Sequence, residues 1–179
     1  MTGRIWTFSN ALSALRVLLV VPIAALLLEG SPASRAWASA LIVLAVATDF
    51  LDGFFARRFH QVSEVGKVID PLADKIAVGA IGVILVIEGS IPLWYLALVL
   101  ARDLVILSGG LVIRSRKQII PQSNWPGKIA VSAIALVMLL AVVDLPGLEA
   151  LEAVALWGSV AFMVLSVAVY APRLSVGKK

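Results

Sequence analysis

The chain has 179 residues, 61% of them hydrophobic, with 15 basic and 11 acidic residues, a formal net charge of +4 and a mean hydropathy of +1.02. A water-soluble domain is nearer half apolar, so this composition excludes an ordinary soluble globule and indicates an all-α integral membrane protein. The apolar runs are continuous rather than alternating, which argues against a transmembrane β-barrel, and the absence of cysteine excludes disulfides and thiolate metal sites.

In chain order, residues 1–9 carry Arg4, Trp6 and Phe8, a basic and aromatic lead-in that reads as a short interfacial segment. A first span follows over 11–28, interrupted by Arg16. A cleaved secretory signal is the alternative for this segment. Further spans are expected over 36–55, 70–87, 92–113, 127–143 and 148–171. The loop charges divide sharply. One side collects Arg4, Arg57, Arg58, Lys67, Arg114, Arg116, Lys117, Lys128, Arg173, Lys178 and Lys179. The other holds Arg35 with Glu29, Glu88, Asp144, Glu149 and Glu152. Because basic loops stay in the cytoplasm, the pattern predicts six transmembrane helices in one domain over 1–179. Both termini are then cytoplasmic in a multi-pass protein of the cell membrane.

The stretch DFLDGFFARRFHQVSEVGKVIDPLAD, residues 49–74, interrupts this apolar background with four carboxylates: Asp49, Asp52, Asp70 and Asp74. On a helix, Asp49, Asp52, Gly53 and Ala56 stand at offsets 0, 3, 4 and 7 and share one face. Gly66, Asp70 and Asp74 follow at steps of four. Two antiparallel helices joined through 58–65 would turn these faces toward each other. Converging carboxylates repel, and burial raises the cost of their charge. A hard divalent cation removes both penalties, and oxygen ligands suit Mg²⁺, Mn²⁺ or Ca²⁺. Two such ions can clamp a phosphate between the attacking and leaving oxygens. Gly53 and Ala56 permit close approach of a bulky ligand, and Arg57 can pair with a phosphate.

The same eight positions spell D-x2-D-G-x2-A-R-x8-G-x3-D-x3-D, and the stretch closely resembles the signature of the CDP-alcohol phosphatidyltransferase family. The resemblance implies a six-helix membrane fold and transfer of a phosphatidyl group from CDP-diacylglycerol to an alcohol, with release of CMP. It further implies that Asp49, Asp52, Asp70 and Asp74 bind two Mg²⁺ or Mn²⁺ ions, with Asp74 also the catalytic base. Gly53, Ala56, Arg57, Ser63, Gly66 and Asn10 would then form the CDP-lipid site, although Ser63 and Asn10 are also read as loop and helix caps. The implied partners are CDP-diacylglycerol, a phosphorylated alcohol, membrane lipids and a second copy of the chain in a homodimer, with no nucleic acid.

The wording GKVIDPLADK over 66–75 is most like the phosphatidylglycerophosphate synthase branch, and it is also similar to the cardiolipin synthases of the superfamily. Arg114, Arg116 and Lys128 are the candidate acceptor site for glycerol 3-phosphate, set against ordinary cytoplasmic loop charge or anionic-lipid contact. Phosphatidylglycerol and inositol phosphate are the alternative acceptors. Arg102 and Asp103 fall mid-span and are expected to pair across helices or to face a cavity. Trp94, Tyr95 and Trp157 read as interfacial or lipid-facing anchors. A cation transporter using the four acids is the competing class. It would place acids near the bilayer midplane in broken helices, whereas these acids sit at span ends beside Arg57 and Arg58.

Overall fold

The structure is a computed structural model that describes the backbone of residues 8–59, 66–117 and 125–175 and the side chains of residues 15, 17–48, 75–110 and 125–170. The described residues form six helices and no strand: α1 (Phe8–Glu29), α2 (Pro32–Phe59), α3 (Gly66–Ile87), α4 (Leu93–Lys117), α5 (Trp125–Val143) and α6 (Glu149–Ser175). They gather into two compact units, Met1–Ser90 and Ile91–Lys179.

In the first unit α1 packs against both α2 and α3. The turn from α1 into α2 is two residues long and chemically specified. Gly30 N donates to Leu27 O at 2.9 Å, and Ser31 Oγ accepts from Ser34 N at 3.1 Å. Ser31 is thus the N-cap of a helix whose first residue is Pro32, where a missing N–H costs nothing. So short a connection makes α1 and α2 antiparallel. At the end of α3, Ser90 N donates to Leu85 O at 2.8 Å and Gly89 N to Val86 O at 3.1 Å. This is a Schellman cap, and Gly89 takes the left-handed position it needs, with φ 79°. The Arg35 guanidinium then bridges to Glu88 Oε2 at 3.1 Å, tying the first turn of α2 to the end of α3. Ile23, Leu27, Ala38 and Leu85 are fully buried in this unit, and Pro22 lies within α1 without ending it.

In the second unit α6 packs against both α5 and α4. Tyr95 Oη and Ser159 Oγ lie 2.8 Å apart, and Arg102 Nε donates to Ser166 Oγ at 3.3 Å. Both pairs are separated by 64 residues in sequence, so α4 and α6 run parallel in fixed register. Seven residues are two helical turns, which returns each partner to the same face. Ser159, Met163, Ser166 and Tyr170 form the buried seam of α6.

Each helix of the second unit carries a stretch long and apolar enough to cross a membrane: Leu93–Gly110, Trp125–Val143 and Glu149–Tyr170. The described apolar stretches of α1 to α3 are shorter, at Val17–Glu29, Pro32–Thr48 and Lys75–Ile87. Large apolar side chains face outward on both units, among them Val21, Trp37, Leu104, Val154 and Trp157. Such surface belongs against lipid or protein rather than water.

The helices overrun the apolar runs at particular ends. The second span, expected over 36–55, is part of a helix that continues to Phe59, and the third begins at Gly66 rather than 70. The fourth, expected to stop at 113, continues to Lys117. Hydropathy stops at the first charges, whereas backbone hydrogen bonding does not require an apolar surround. The interfacial lead-in falls largely on residues 1–7, outside the described residues. Tyr95 requires a correction. It is 1% exposed and hydrogen-bonded into α6, so it is not a lipid-facing anchor. Its neighbours Trp94 and Trp157 are exposed and lie against each other, with ring centroids 5.7 Å apart.

Candidate functional site

The backbone divides the acidic motif between two helices. Asp49, Asp52, Gly53, Ala56 and Arg57 occupy the last three turns of α2, and Gly66, Asp70 and Asp74 the first turns of α3. The side chains of these residues lie outside the described residues, as does Ser63 entirely. Helical rise sets their levels. Counting 1.5 Å per residue, Asp52 stands roughly 10 Å from the end of α2 at Phe59, and Asp74 roughly 12 Å from the start of α3 at Gly66. Asp49 and Asp70 fall at roughly 15 and 6 Å on the same scale. Six residues join these two helix ends, and at the remote end the Arg35–Glu88 pair holds the same two helices together. The four acids thus fall roughly 6 to 15 Å from the ends of α2 and α3 that residues 60–65 join.

Asn10 belongs to the first turn of α1, which already starts at Phe8, so it does not occupy the capping position ahead of the helix. Its side chain lies outside the described residues. Arg114 and Arg116 are in the last turn of α4, again with side chains outside the described residues. Lys128 is exposed on the first turn of α5.

Of the mid-span pair, Arg102 bonds across helices, while its contact with Asp103 lies within α4. Arg102 is only 8% exposed. Its Nη1 donates to Asp103 Oδ1 at 2.7 Å, its Nη2 to Gly127 O of α5 at 3.2 Å, and its Nε to Ser166 Oγ of α6 at 3.3 Å. Ser166 Oγ donates its own hydrogen bond to Met163 O at 2.8 Å. A buried guanidinium needs a neutralising charge and several acceptors, and here three helices supply them. Sequence reasoning singled out Arg102 but missed Ser159 and Ser166. The available signal was a pair of serines seven residues apart in the apolar run of α6, matching Tyr95 and Arg102 seven apart in α4.

Residues 6–165, spanning parts of both units, match the family model for CDP-alcohol phosphatidyltransferase. The chain belongs to the CDP-alcohol phosphatidyltransferase family. A cardiolipin synthase (CMP-forming) of Streptomyces coelicolor is 35% identical over 132 residues, which is 72% of this chain and 61% of that relative. The chain thus spans under two thirds of that protein's length. A CDP-diacylglycerol–glycerol-3-phosphate 3-phosphatidyltransferase of Bacillus subtilis is 32% identical over 145 residues, covering 77% of this chain and 73% of the relative. A probable phosphatidylglycerophosphate synthase of Mycobacterium tuberculosis is 34% identical over 148 residues, covering 81% and 70%. As a CDP-alcohol phosphatidyltransferase the chain is an enzyme of phospholipid synthesis. That class takes the place of the cation-transport alternative.

Proposed function

We propose that the chain transfers the phosphatidyl group of CDP-diacylglycerol to glycerol 3-phosphate, giving phosphatidylglycerol phosphate and CMP. The observation that carries this reading is the match of residues 6–165 to the CDP-alcohol phosphatidyltransferase family, together with the eight motif positions divided between α2 and α3. Relatives from Bacillus and Mycobacterium, named for this transfer and for phosphatidylglycerophosphate synthesis, support the acceptor.

In the reaction, the acceptor hydroxyl oxygen bonds to the phosphorus that carries the diacylglycerol. The bond from that phosphorus to the bridging pyrophosphate oxygen breaks, and CMP leaves with the electron pair. Asp74 accepts the hydroxyl proton. Asp49, Asp52, Asp70 and Asp74 form an all-carboxylate donor set whose hardness fits two Mg²⁺ or Mn²⁺ ions. When bound, such ions supply charge neutralisation at the pyrophosphate. Gly53, Ala56 and Gly66 leave room for the nucleotide, Arg57 pairs with its phosphates, and Ser63 and Asn10 complete the CDP contacts. Arg114, Arg116 and Lys128 hold the phosphate of the acceptor. The protein is multi-pass, with both termini and the motif on the cytoplasmic side, where glycerol 3-phosphate is dissolved.

Purified protein in detergent with CDP-diacylglycerol and glycerol 3-phosphate is expected to release CMP only when Mg²⁺ or Mn²⁺ is present. A chelator should stop release, and added metal should restore it. Asp74→Asn should lower kcat by about 100-fold or more, the loss typical of a removed general base. Undiminished CMP release by that variant would refute the role of Asp74. One observation favours a second acceptor: the Streptomyces relative is named cardiolipin synthase. Offering phosphatidylglycerol and inositol phosphate beside glycerol 3-phosphate, with the products identified by mass, decides between them.

A further inference from the structure

The Arg102 node contains a connection that charge burial alone does not require. The carbonyl that accepts from Arg102 Nη2, at 3.2 Å, is that of Gly127, and Gly127 is bonded to Lys128. A peptide group is planar, so Gly127 C=O lies in one plane with the nitrogen and Cα of Lys128. Holding that oxygen holds the base of the Lys128 side chain. The guanidinium is fixed in turn by Asp103 at 2.7 Å and by Ser166 at 3.3 Å, so α4 and α6 together orient the first turn of α5. Gly127 is buried, whereas Lys128 beside it is exposed and free to meet a soluble ligand.

We infer that Arg102 is a positioning residue for the acceptor, acting through the Gly127–Lys128 peptide to aim the Lys128 ammonium at the acceptor phosphate. The inference rests on the reading of Lys128 as an acceptor-phosphate contact. Only the planar fork of arginine serves Asp103, Gly127 and Ser166 together. A lysine at 102 keeps the charge against Asp103 and gives up the fork. The residue touches no reacting atom, so its loss should appear in acceptor affinity rather than in the chemical step.

The test is steady-state kinetics on the full-length enzyme, with glycerol 3-phosphate and CDP-diacylglycerol varied in turn, for Arg102→Lys, Lys128→Ala and the double variant. Arg102→Lys should raise KM for glycerol 3-phosphate about tenfold while kcat and KM for CDP-diacylglycerol stay within about twofold. Lys128→Ala should raise the acceptor KM by at least as much, and the double variant should be no worse than Lys128→Ala alone, since coupled residues are non-additive. If Lys128→Ala leaves the acceptor KM unchanged, the acceptor reading itself fails and the inference falls with it. If Lys128→Ala raises it but Arg102→Lys does not, or the two effects multiply, only the positioning role is overturned. An equal drop in kcat and rise in both KM values on Arg102→Lys would also overturn it, marking the node as structural support alone. Should Arg102→Lys fail to accumulate, Ser166→Ala loosens the same guanidinium while keeping it. A rise of about threefold in acceptor KM is then expected, and no rise overturns the inference.

Discussion

Tyr95 and Ser159 meet at 2.8 Å inside the second unit, and Ser159 Oγ also donates to Leu156 O at 2.7 Å. Removing the phenol oxygen therefore leaves Ser159 with a partner, and the ring still fills its place. Tyr95→Phe should cost about 0.5–1 kcal/mol, as interhelical hydrogen bonds in apolar surroundings do. Thermal unfolding in detergent should show a small drop in Tm with activity unaltered. Gly89 is a harsher case. Its φ of 79° closes the cap of α3, and a side chain there is strained even though open space surrounds it. Gly89→Ala should destabilise by about 1 kcal/mol, measured the same way. Of the two, only Tyr95 was singled out in the sequence, as an aromatic near a span end, and that signal does not lead to its environment because its burial against α6 is not a local property.

Among the elements, α2 and α3 carry the motif at one end and the Arg35–Glu88 pair at the other. With side chains 17% and 14% exposed, the pair is largely shielded from water. Arg35→Glu and Glu88→Arg should each destabilise by about 1–3 kcal/mol by placing like charges together, and the double exchange should recover most of the loss. Chemical unfolding of the four proteins measures the coupling. Sequence analysis placed Arg35 and Glu88 on the same side of the membrane, since both fall in loops of one parity. It did not pair them, because loop charge reports the side and not the neighbour. The same separation holds along the helices. Six apolar runs marked six helices, but their ends were drawn short at Arg57, Lys67 and Arg114, where a hydrogen-bonded backbone carries charged side chains beyond the apolar zone.

For the whole molecule, the proposed orientation rests on the charge asymmetry between the two sets of loops. The chain contains no cysteine, so single cysteines report topology against an empty background. Ser90→Cys should react with a membrane-impermeant maleimide in intact cells. Gln118→Cys, beside Arg114, Arg116 and Lys117, should react only after permeabilisation. The reverse pattern would reverse the proposed orientation and with it the cytoplasmic placement of the motif.

Sequence alone determined the all-helical, strongly apolar class, the six helices in order and the eight-position motif that led to the family, because hydropathy, helical offsets and a contiguous signature are properties of nearby residues. The tertiary structure decided what those helices do to one another. It set α4 parallel to α6 through Tyr95–Ser159 and Arg102–Ser166, and it closed the Arg102 node on Gly127. Periodicity says which side chains share a face of one helix. It does not say which other helix covers that face, and partners 64 residues apart in the chain become neighbours only when the unit is packed.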